Sequence, residues 1–380
     1  MNDQERMAHF LEKVKSVNGL SENLFRRLNQ ELERAEPKFG YDEQGRLRIA
    51  LFDAQSYDRD SFDRCNQGRF SIHYISAALN TNTAAAGEGC KVICVFVNDN
   101  CNSKVVERLA SKGVELIALR CAGFNNVDLG ACAAHNISVV RVPAYSPHAV
   151  AEHAVGLILM LNRKLHRAYA RNQTGYFVLD GLTGFDLYKK TAGIIGTGKI
   201  GQCLIDILLG FGCRILAFDK FPNQQLAERE GVEYVELDRL FKESDMISLH
   251  VPLFPETHYM INESTIDQMK DGVMLINTSR GGLVDTRAPI AGLKSGKIGS
   301  AGLDVYEEEA GIFFRNISDK VLTDDVLARL MTFHNVVVTS HQAFLTHEAL
   351  NNIAQTTLSN IEEFAQNKRG TQLTNAVEQQ

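Results

Sequence analysis

Ionisable side chains follow three apolar, strand-like runs in the second half of the chain. Arg280 follows one run, an acidic cluster at 304–309 the next, and His341 the third. Because ligands of open α/β sheets bind outside the carboxyl ends of the strands, we expect these residues at one site. Arginine offers a planar fork to a carboxylate, histidine exchanges a proton near neutral pH, and an acid behind the histidine favours the imidazolium. This set suits hydride transfer to a 2-keto acid, whose developing alkoxide needs a proton.

A glycine-rich loop upstream would supply the partner for such a reaction. Gly196, Gly198 and Gly201 form a Gly-x-Gly-x-x-Gly pattern between a β-like run and an apolar helical run. In this context the first glycine makes a tight turn, the second lets backbone approach a pyrophosphate, and the third lets helix and strand pack closely. The helix N-terminus adds N–H groups and a positive dipole end. The loop therefore predicts a bound dinucleotide.

An acid after the next strand indicates which dinucleotide. Asp219 ends the run 214–218 and follows Gly201 by 18 residues. A carboxylate there accepts hydrogen bonds from the adenosine ribose hydroxyls and repels a 2′-phosphate, so NAD is favoured over NADP. Lys220 follows directly and would soften that preference.

Strands that alternate with helices surround these residues and predict parallel sheets. One series begins at Leu47 and a second runs from Thr191 to about residue 340. Between them, the pattern predicts one long helix from His148 to about Ala170. Residues 1–46 carry two apolar stripes at helical spacing and are predicted to be a helical N-terminal extension.

The composition excludes several other classes. The chain has 380 residues, of which 44% are hydrophobic and 23% charged, as expected for a globular protein of two domains. A net charge of −6 argues against a nucleic-acid-binding protein. Eight cysteines without a Cys-x-x-Cys pair predict reduced thiols and no metal site. No signal peptide or membrane-spanning run is found, so a cytoplasmic protein without a membrane partner is expected.

Seven ordered motifs together resemble the D-isomer-specific 2-hydroxyacid dehydrogenase family. They are segments 119–128, 142–154, 196–201, 250–253, 277–282, 302–306 and 339–344. The resemblance covers about residues 47–380. It implies an α/β fold of two Rossmann-like domains with parallel sheets, one flavodoxin-like and catalytic and one NAD-binding, with the active site in the cleft between them. The implied division is 47–144 for the first part of the catalytic domain, 145–341 for the NAD domain, and 342–380 for the return to the catalytic domain.

The resemblance also assigns roles to individual residues. Arg280 orients the substrate, His341 is the acid/base, and Glu309, five residues after Asp304, is the partner of the histidine. Besides the loop glycines, the implied cofactor-binding residues are Lys199, Ile200, Asp219, Val251, Pro252, Thr257, Thr278, Ser279, Arg280 and Asp304. The implied substrate-binding residues are Ala122, Gly123, Tyr145, Arg280 and Phe344.

The activity implied is reduction of pyruvate to D-lactate by NADH, because segments 312–314 and 341–346 are similar to those of family members that form D-lactate. Two alternatives stay open. One is a dehydrogenase for a bulkier 2-keto acid, and the other is a nucleotide-sensing protein like the corepressors that share this fold. The family is commonly dimeric or tetrameric, so a homo-oligomer is expected.

Overall fold

The structure is a computed structural model that describes residues 38–377, and these divide into two compact units. One unit contains the described residues up to Val142 and those from Gln355 onwards, and the other runs from Pro143 to Ala354. The chain thus returns to the first unit later than the sequence suggested, at 355 instead of 342. Gln342 and Ala343 belong to the second unit, where their N–H groups donate to the Asp304 carboxylate.

The first unit is built on five parallel strands. They are β1 (Arg48–Leu51), β2 (Ser71–Tyr74), β3 (Val92–Val95), β4 (Leu116–Leu119) and β5 (Ser138–Val140). The strand order is β2-β1-β3-β4-β5, with Arg48 opposite Ser71 and Leu116 opposite Ser138. This is the flavodoxin-like order. The helices are α1 (Ser56–Asn66), α2 (Ser103–Ser111) and α3 (Leu129–Ala134), with a 3₁₀ turn at Ala84–Gly87.

Only part of the predicted N-terminal extension is described. Residues 38–46 form turns and one antiparallel bridge between Tyr41 and Leu47, and they contain no helix. The two predicted helical stripes lie outside the described residues.

The second unit is built on seven parallel strands. They are β6 (Thr191–Ile195), β7 (Arg214–Phe218), β8 (Val232–Tyr234), β9 (Met246–Leu249), β10 (Val273–Asn277), β11 (Ile298–Leu303) and β12 (Val336–Val338). The strand order is β12-β11-β10-β9-β6-β7-β8. The chain adds β7 and β8 on one side of β6 and then β9 to β12 on the other side, as in dinucleotide-binding folds. Buried residues fill β6, β9 and β10 completely, which is typical of parallel strands covered on both faces.

Helices cover both faces of this sheet. They are α4 (Pro147–Asn162), α5 (Leu165–Gln173), α6 (Lys199–Gly210), α7 (Gln224–Ala227), α8 (Leu237–Glu243), α9 (Glu263–Gln268), α10 (Arg287–Ser295) and α11 (Asp325–Met331). Leu157 and Ile158 of α4 and Leu204 and Ile205 of α6 belong to one buried cluster. Residues of α8 to α11 belong to another. The helix α12 (His347–Ala365) and 3₁₀ turns at Gly281–Leu283 and Gly370–Gln372 complete the described elements.

The prediction of one long helix after residue 147 was wrong. The chain forms α4 and α5, and Lys164 between them adopts a left-handed φ of 52°. At the break, the amide of Asn162 donates to the Phe185 carbonyl (2.7 Å) and accepts from its N–H (2.8 Å). This partner lies 23 residues downstream, so helical periodicity gives no sign of it.

Candidate active site

The three predicted strand ends are neighbours in the second sheet. The order β12-β11-β10 is parallel throughout, so the residues that follow these strands lie at one edge. Asp304 comes directly after β11, Arg280 lies shortly after β10, and His341 lies shortly after β12. The adjacency required for a common site is therefore present.

His341 and Glu309 form a close pair. Nδ1 of the imidazole lies 2.8 Å from Oε1 of the carboxylate, and both side chains are mostly buried, with 16% and 18% exposure. Since a carboxylate accepts, Nδ1 carries the proton and Nε2 is left for a substrate. The other oxygen, Oε2, accepts the Tyr306 N–H at 3.1 Å, which fixes the carboxylate. The ring of Phe314 lies 5.9 Å from the imidazole, centre to centre.

Asp304 holds the segment that carries the histidine. Its carboxylate is fully buried and accepts three hydrogen bonds from this segment. Oδ1 accepts the Thr339 hydroxyl (2.6 Å) and the Gln342 N–H (2.8 Å), and Oδ2 accepts the Ala343 N–H (2.9 Å). The Asp304 carbonyl accepts the N–H of His341 at 2.7 Å. His341 has a left-handed φ of 54°, which costs a non-glycine residue about 1 kcal/mol, and these bonds maintain that conformation.

His153 of α4 extends this network. Its Nε2 lies 3.1 Å from the Thr339 hydroxyl and 3.4 Å from Oδ1 of Asp304. The hydroxyl proton is already donated to Asp304, so Nε2 of His153 must be the donor. Burial alone would raise the pKa of the Asp304 carboxyl, but hydrogen bonds from His153, Thr339 and Ala343 outweigh burial and lower it. Asp304 is therefore ionised near neutral pH. Its hydrogen bonds to the histidine segment weaken only as the pH falls below 3.8, the ordinary pKa of an aspartic acid.

Arg280 is available to an anion. Its guanidinium donates from Nη1 to the Ser279 carbonyl (2.7 Å), and within residues 38–377 it makes no ion pair with an acidic side chain. The Asn277 amide donates to the Arg280 carbonyl (2.8 Å) and so fixes its backbone. A partly buried, unpaired guanidinium attracts a carboxylate strongly.

The glycine loop fits a dinucleotide pyrophosphate. Gly196 has a φ of 98°, and a Cβ there would lie 2.5 Å from the His250 carbonyl oxygen. A Cβ on Gly201 would lie 2.0 Å from the Gly196 carbonyl oxygen, whereas Gly198 faces open space. Lys199 begins α6, and no side chain caps this helix. Its first N–H groups, including that of Ile200, are thus suited to phosphate oxygens.

Other predicted cofactor residues gather in two loops of the second unit. The Ser279 hydroxyl donates to the Val251 carbonyl (2.6 Å), and the Thr257 hydroxyl donates to the Pro252 carbonyl (2.8 Å). Among residues 38–377 the buried Thr278 hydroxyl has no hydrogen-bond partner, so it is available to a bound ligand.

Asp219 and His250 lie next to the glycine loop. Asp219 directly follows β7 and is partly exposed, and its Oδ1 accepts the N–H of Phe221 at 2.9 Å. This leaves acceptor capacity for a ribose hydroxyl. Burial lowers the pKa of His250 to about 4, so its imidazole is neutral near pH 7.

The predicted substrate residues fall in both units. Ala122 and Gly123 follow β4 of the first unit, and Nη1 of Arg141 donates to the Ala122 carbonyl (2.9 Å). Tyr145 and Phe344 belong to the second unit, where their rings meet edge to face with centroids 6.4 Å apart. The structure therefore brings together the aromatic pair that the sequence proposed as a pocket wall.

Comparisons with known proteins identify the family. Residues 155–343 match the family model described as D-isomer specific 2-hydroxyacid dehydrogenase, NAD binding domain. The chain is 52% identical to D-lactate dehydrogenase from Escherichia coli over 316 residues, which are 83% of this chain and 96% of that protein. It belongs to the D-isomer specific 2-hydroxyacid dehydrogenase family.

Solved structures of related enzymes support the same family. The apo structure of D-lactate dehydrogenase from E. coli matches with a TM-score of 0.79 and 48% identity, over 87% of this chain and 100% of that one. A structure described as the pyruvate reductase of Chlamydomonas reinhardtii matches with a TM-score of 0.81 and 44% identity, over 90% and 100%. The predicted family, the two Rossmann-like domains, the oxidoreductase class and the cofactor NAD are confirmed. The roles of individual residues stay predictions.

The described residues contain neither a metal-binding cluster nor a membrane-spanning helix. Between residues 38 and 377, no group of three or more His, Cys, Asp or Glu side chains has an arrangement that could hold a metal ion. No helix in the same range is long and apolar enough to cross a bilayer.

Sequence reasoning missed the residues that support the site. His153 and Thr339 were not singled out, although both lie inside motifs that carry the family resemblance. Their contact joins positions 186 residues apart. Inspection of the motifs for polar residues without an assigned role would have pointed to them.

Asp304→Asn tests the support of the histidine segment. The amide nitrogen would face backbone N–H groups that now donate to a carboxylate, so segment 339–343 should shift. We expect kcat for 2-keto acid reduction by NADH to fall by about ten- to a hundredfold, because hydrogen bonds to a buried charge are lost. Steady-state kinetics measure this, and Asp325→Asn, at an exposed acid of α11, is the matched control. Wild-type kcat in Asp304→Asn would refute the role.

Proposed function

We propose that this protein reduces pyruvate to D-lactate with NADH. The observation that carries the proposal is the hydrogen-bonded His341–Glu309 pair at the same sheet edge as Arg280, which makes no ion pair with any acid between residues 38 and 377. A proton donor and a carboxylate-binding fork are the groups that reduction of a 2-keto acid requires. Relatives named D-lactate dehydrogenase support pyruvate as the substrate.

Each group has a defined part in the reaction. Bound NADH supplies the hydride. Arg280 binds the substrate carboxylate through two N–H groups, and backbone N–H groups of Ala122 and Gly123 are further predicted ligands of it. His341 donates the proton on Nε2 to the carbonyl oxygen. Glu309 stabilises the imidazolium before this transfer and holds the ring in position.

The remaining predicted contacts complete the site. Tyr145 and Phe344 wall the side of the pocket that receives the substrate methyl group. When NADH is bound, the glycine loop would hold its pyrophosphate, Asp219 would accept from its ribose, and Thr278 and Asp304 are the predicted neighbours of its nicotinamide end.

A substrate panel tests the function. NADH absorbance should fall on addition of pyruvate and much less with a branched or aromatic 2-keto acid, and NADPH should be a poor substitute. Turnover only of the bulkier acids would replace pyruvate as the substrate. No turnover of any 2-keto acid would contradict the enzyme proposal and leave a nucleotide-sensing protein.

We place the protein in the cytoplasm. All eight cysteines are free thiols, and six of them are buried. This arrangement suits a reducing compartment.

We also propose a homo-oligomer, of which the dimer is the simplest form. Large apolar side chains are exposed on α5 and on the segment between α5 and β6, at Leu165, Tyr169, Phe177, Leu179 and Tyr188. Phe177 and Leu179 are 71% and 78% exposed. A concentration of this kind is uncommon on monomers, and a second copy of the chain would cover it.

Arg280→Lys tests recognition of the substrate carboxylate. Lysine keeps the charge but loses the planar two-point fork, so kcat/KM for pyruvate should fall by about ten- to a hundredfold. The dissociation constant of NADH should stay close to that of the wild type. Arg287→Lys, at an exposed arginine of α10, is the control. A normal kcat/KM would remove Arg280 from the site.

Glu309→Gln tests the proton donor. The imidazole loses the anionic partner that holds its ring, so kcat for pyruvate reduction by NADH should fall by about ten- to a hundredfold, the effect of one lost hydrogen bond to a charged group. Steady-state kinetics measure this. Glu308→Gln, at the exposed neighbour, is the control, and a wild-type kcat in Glu309→Gln would mean that the pair plays no part.

Phe177→Asp tests the proposed assembly. A buried charge in an apolar interface is unfavourable, so sedimentation should show a shift towards the monomer. Val321→Asp, at a residue that is 86% exposed elsewhere in the unit, should leave the assembly unchanged. An unchanged sedimentation coefficient for Phe177→Asp would exclude this surface as an interface.

A further inference from the structure

A chain of hydrogen bonds links the end of β8 to the predicted ribose-binding carboxylate. The Tyr234 hydroxyl donates to the Thr197 hydroxyl at 2.7 Å, and the Thr197 hydroxyl donates to Oδ2 of Asp219 at 3.1 Å. The backbone N–H of Thr197 donates to the same oxygen at 2.7 Å. Thr197 lies between two glycines of the phosphate loop and is almost fully buried.

The donors and acceptors fix the direction of this chain. The Tyr234 oxygen accepts the Asn223 N–H at 3.1 Å, so its one proton is free for Thr197. Thr197 accepts from tyrosine, and its own proton is directed to Asp219. The chain therefore ties three segments together: the phosphate loop, the end of β7 and the end of β8.

The result is a carboxylate whose orientation is set before the cofactor binds. Oδ2 of Asp219 receives both Thr197 donors, and Oδ1 receives the Phe221 N–H. Such preorganisation removes the entropy cost of ordering the side chain on binding. It also keeps a negative charge where a 2′-phosphate would have to lie.

Because of Lys220, the orientation of Asp219 affects discrimination against NADPH. Its ammonium is exposed and directly follows Asp219, so a carboxylate that rotated away would leave a cation near the ribose. That cation would attract a 2′-phosphate. Discrimination against NADPH thus depends on the orientation of Asp219 as well as on its presence.

We propose that Tyr234 and Thr197 are positioning residues that hold Asp219 towards the ribose and so set the preference for NADH over NADPH. The proposal rests on the proposed role of Asp219 as the ribose ligand. Neither residue has to touch the cofactor. Both act through the carboxylate.

The test measures cofactor binding directly on the full chain. Fluorescence titration gives the dissociation constants of NADH and NADPH for the wild type and for Tyr234→Phe, Thr197→Val and Thr197→Ser. In Tyr234→Phe and Thr197→Val, the constant for NADH should rise by roughly three- to tenfold, the effect of one lost hydrogen bond. The constant for NADPH should stay level or fall. Thr197→Ser keeps the hydroxyl and should remain within about twofold of the wild type.

A matched control separates this effect from general damage. Tyr74→Phe also removes a tyrosine hydroxyl bonded to a carboxylate, that of Asp63, but in the first unit. It should leave both constants unchanged. Equal proportional increases in the NADH and NADPH dissociation constants of Tyr234→Phe would show a merely structural role and overturn the proposal. Two constants equal to those of the wild type would also overturn it.

A double-mutant cycle with Asp219→Ala locates the effect. If Tyr234 acts through Asp219, Tyr234→Phe should change NADH binding little in the Asp219→Ala background. A full, additive effect there would refute the positioning role while leaving Asp219 as a ribose ligand. If Asp219→Ala alone left NADH binding unchanged, the role of Asp219 itself would fail, and the proposal with it.

Discussion

The buried carboxylate of Asp304 is the interaction on which the arrangement of the second unit's site depends. One side chain at the end of β11 binds the segment that leaves the neighbouring strand β12. An ionised group in the interior is unfavourable unless donors surround it, and here the donors belong to the chain that carries His341. The same hydrogen bonds therefore stabilise the charge of Asp304 and orient His341. Neither could be kept without the other.

Polar groups at this sheet edge fall into two kinds with different consequences. The Asp304 carboxylate accepts hydrogen bonds from several protein donors. Within residues 38–377, by contrast, Arg280 makes no ion pair, and the Thr278 hydroxyl has no hydrogen-bond partner. A buried group whose hydrogen bonds are all made by the protein does not need water as a partner, and these bonds hold the loops in place. Unsatisfied groups of matching polarity are the ones that gain most from a ligand. The site thus consists of groups that are available to a ligand and of groups whose hydrogen bonds hold the surrounding loops in place.

Much of the fold followed from short-range patterns. Strand-like runs that alternate with helical stretches predicted the parallel sheets. The glycine pattern predicted a close backbone approach, and Gly196 and Gly201 do lie where a Cβ would collide with a carbonyl oxygen. The break at Lys164 could not be predicted from helical periodicity, because it depends on the contact of Asn162 with Phe185, 23 residues downstream. His153 lies in a recognised motif, but its contact with Thr339, 186 residues away, gives no local signal. Family resemblance chose Glu309 among three consecutive acids, and residue chemistry alone could not.

The two hydrogen-bond networks solve one problem at two ends of the same sheet. Functional loops at the carboxyl ends of parallel strands have no ladder hydrogen bonds to hold them, so their conformation must come from side chains. Asp304 supplies this restraint for the segment of His341, and Tyr234 supplies it, through Thr197, for Asp219. In each case the restraining residue ends or directly follows a strand next in the sheet to the one it serves. The strand order therefore determines which loop can be held, and by which neighbour.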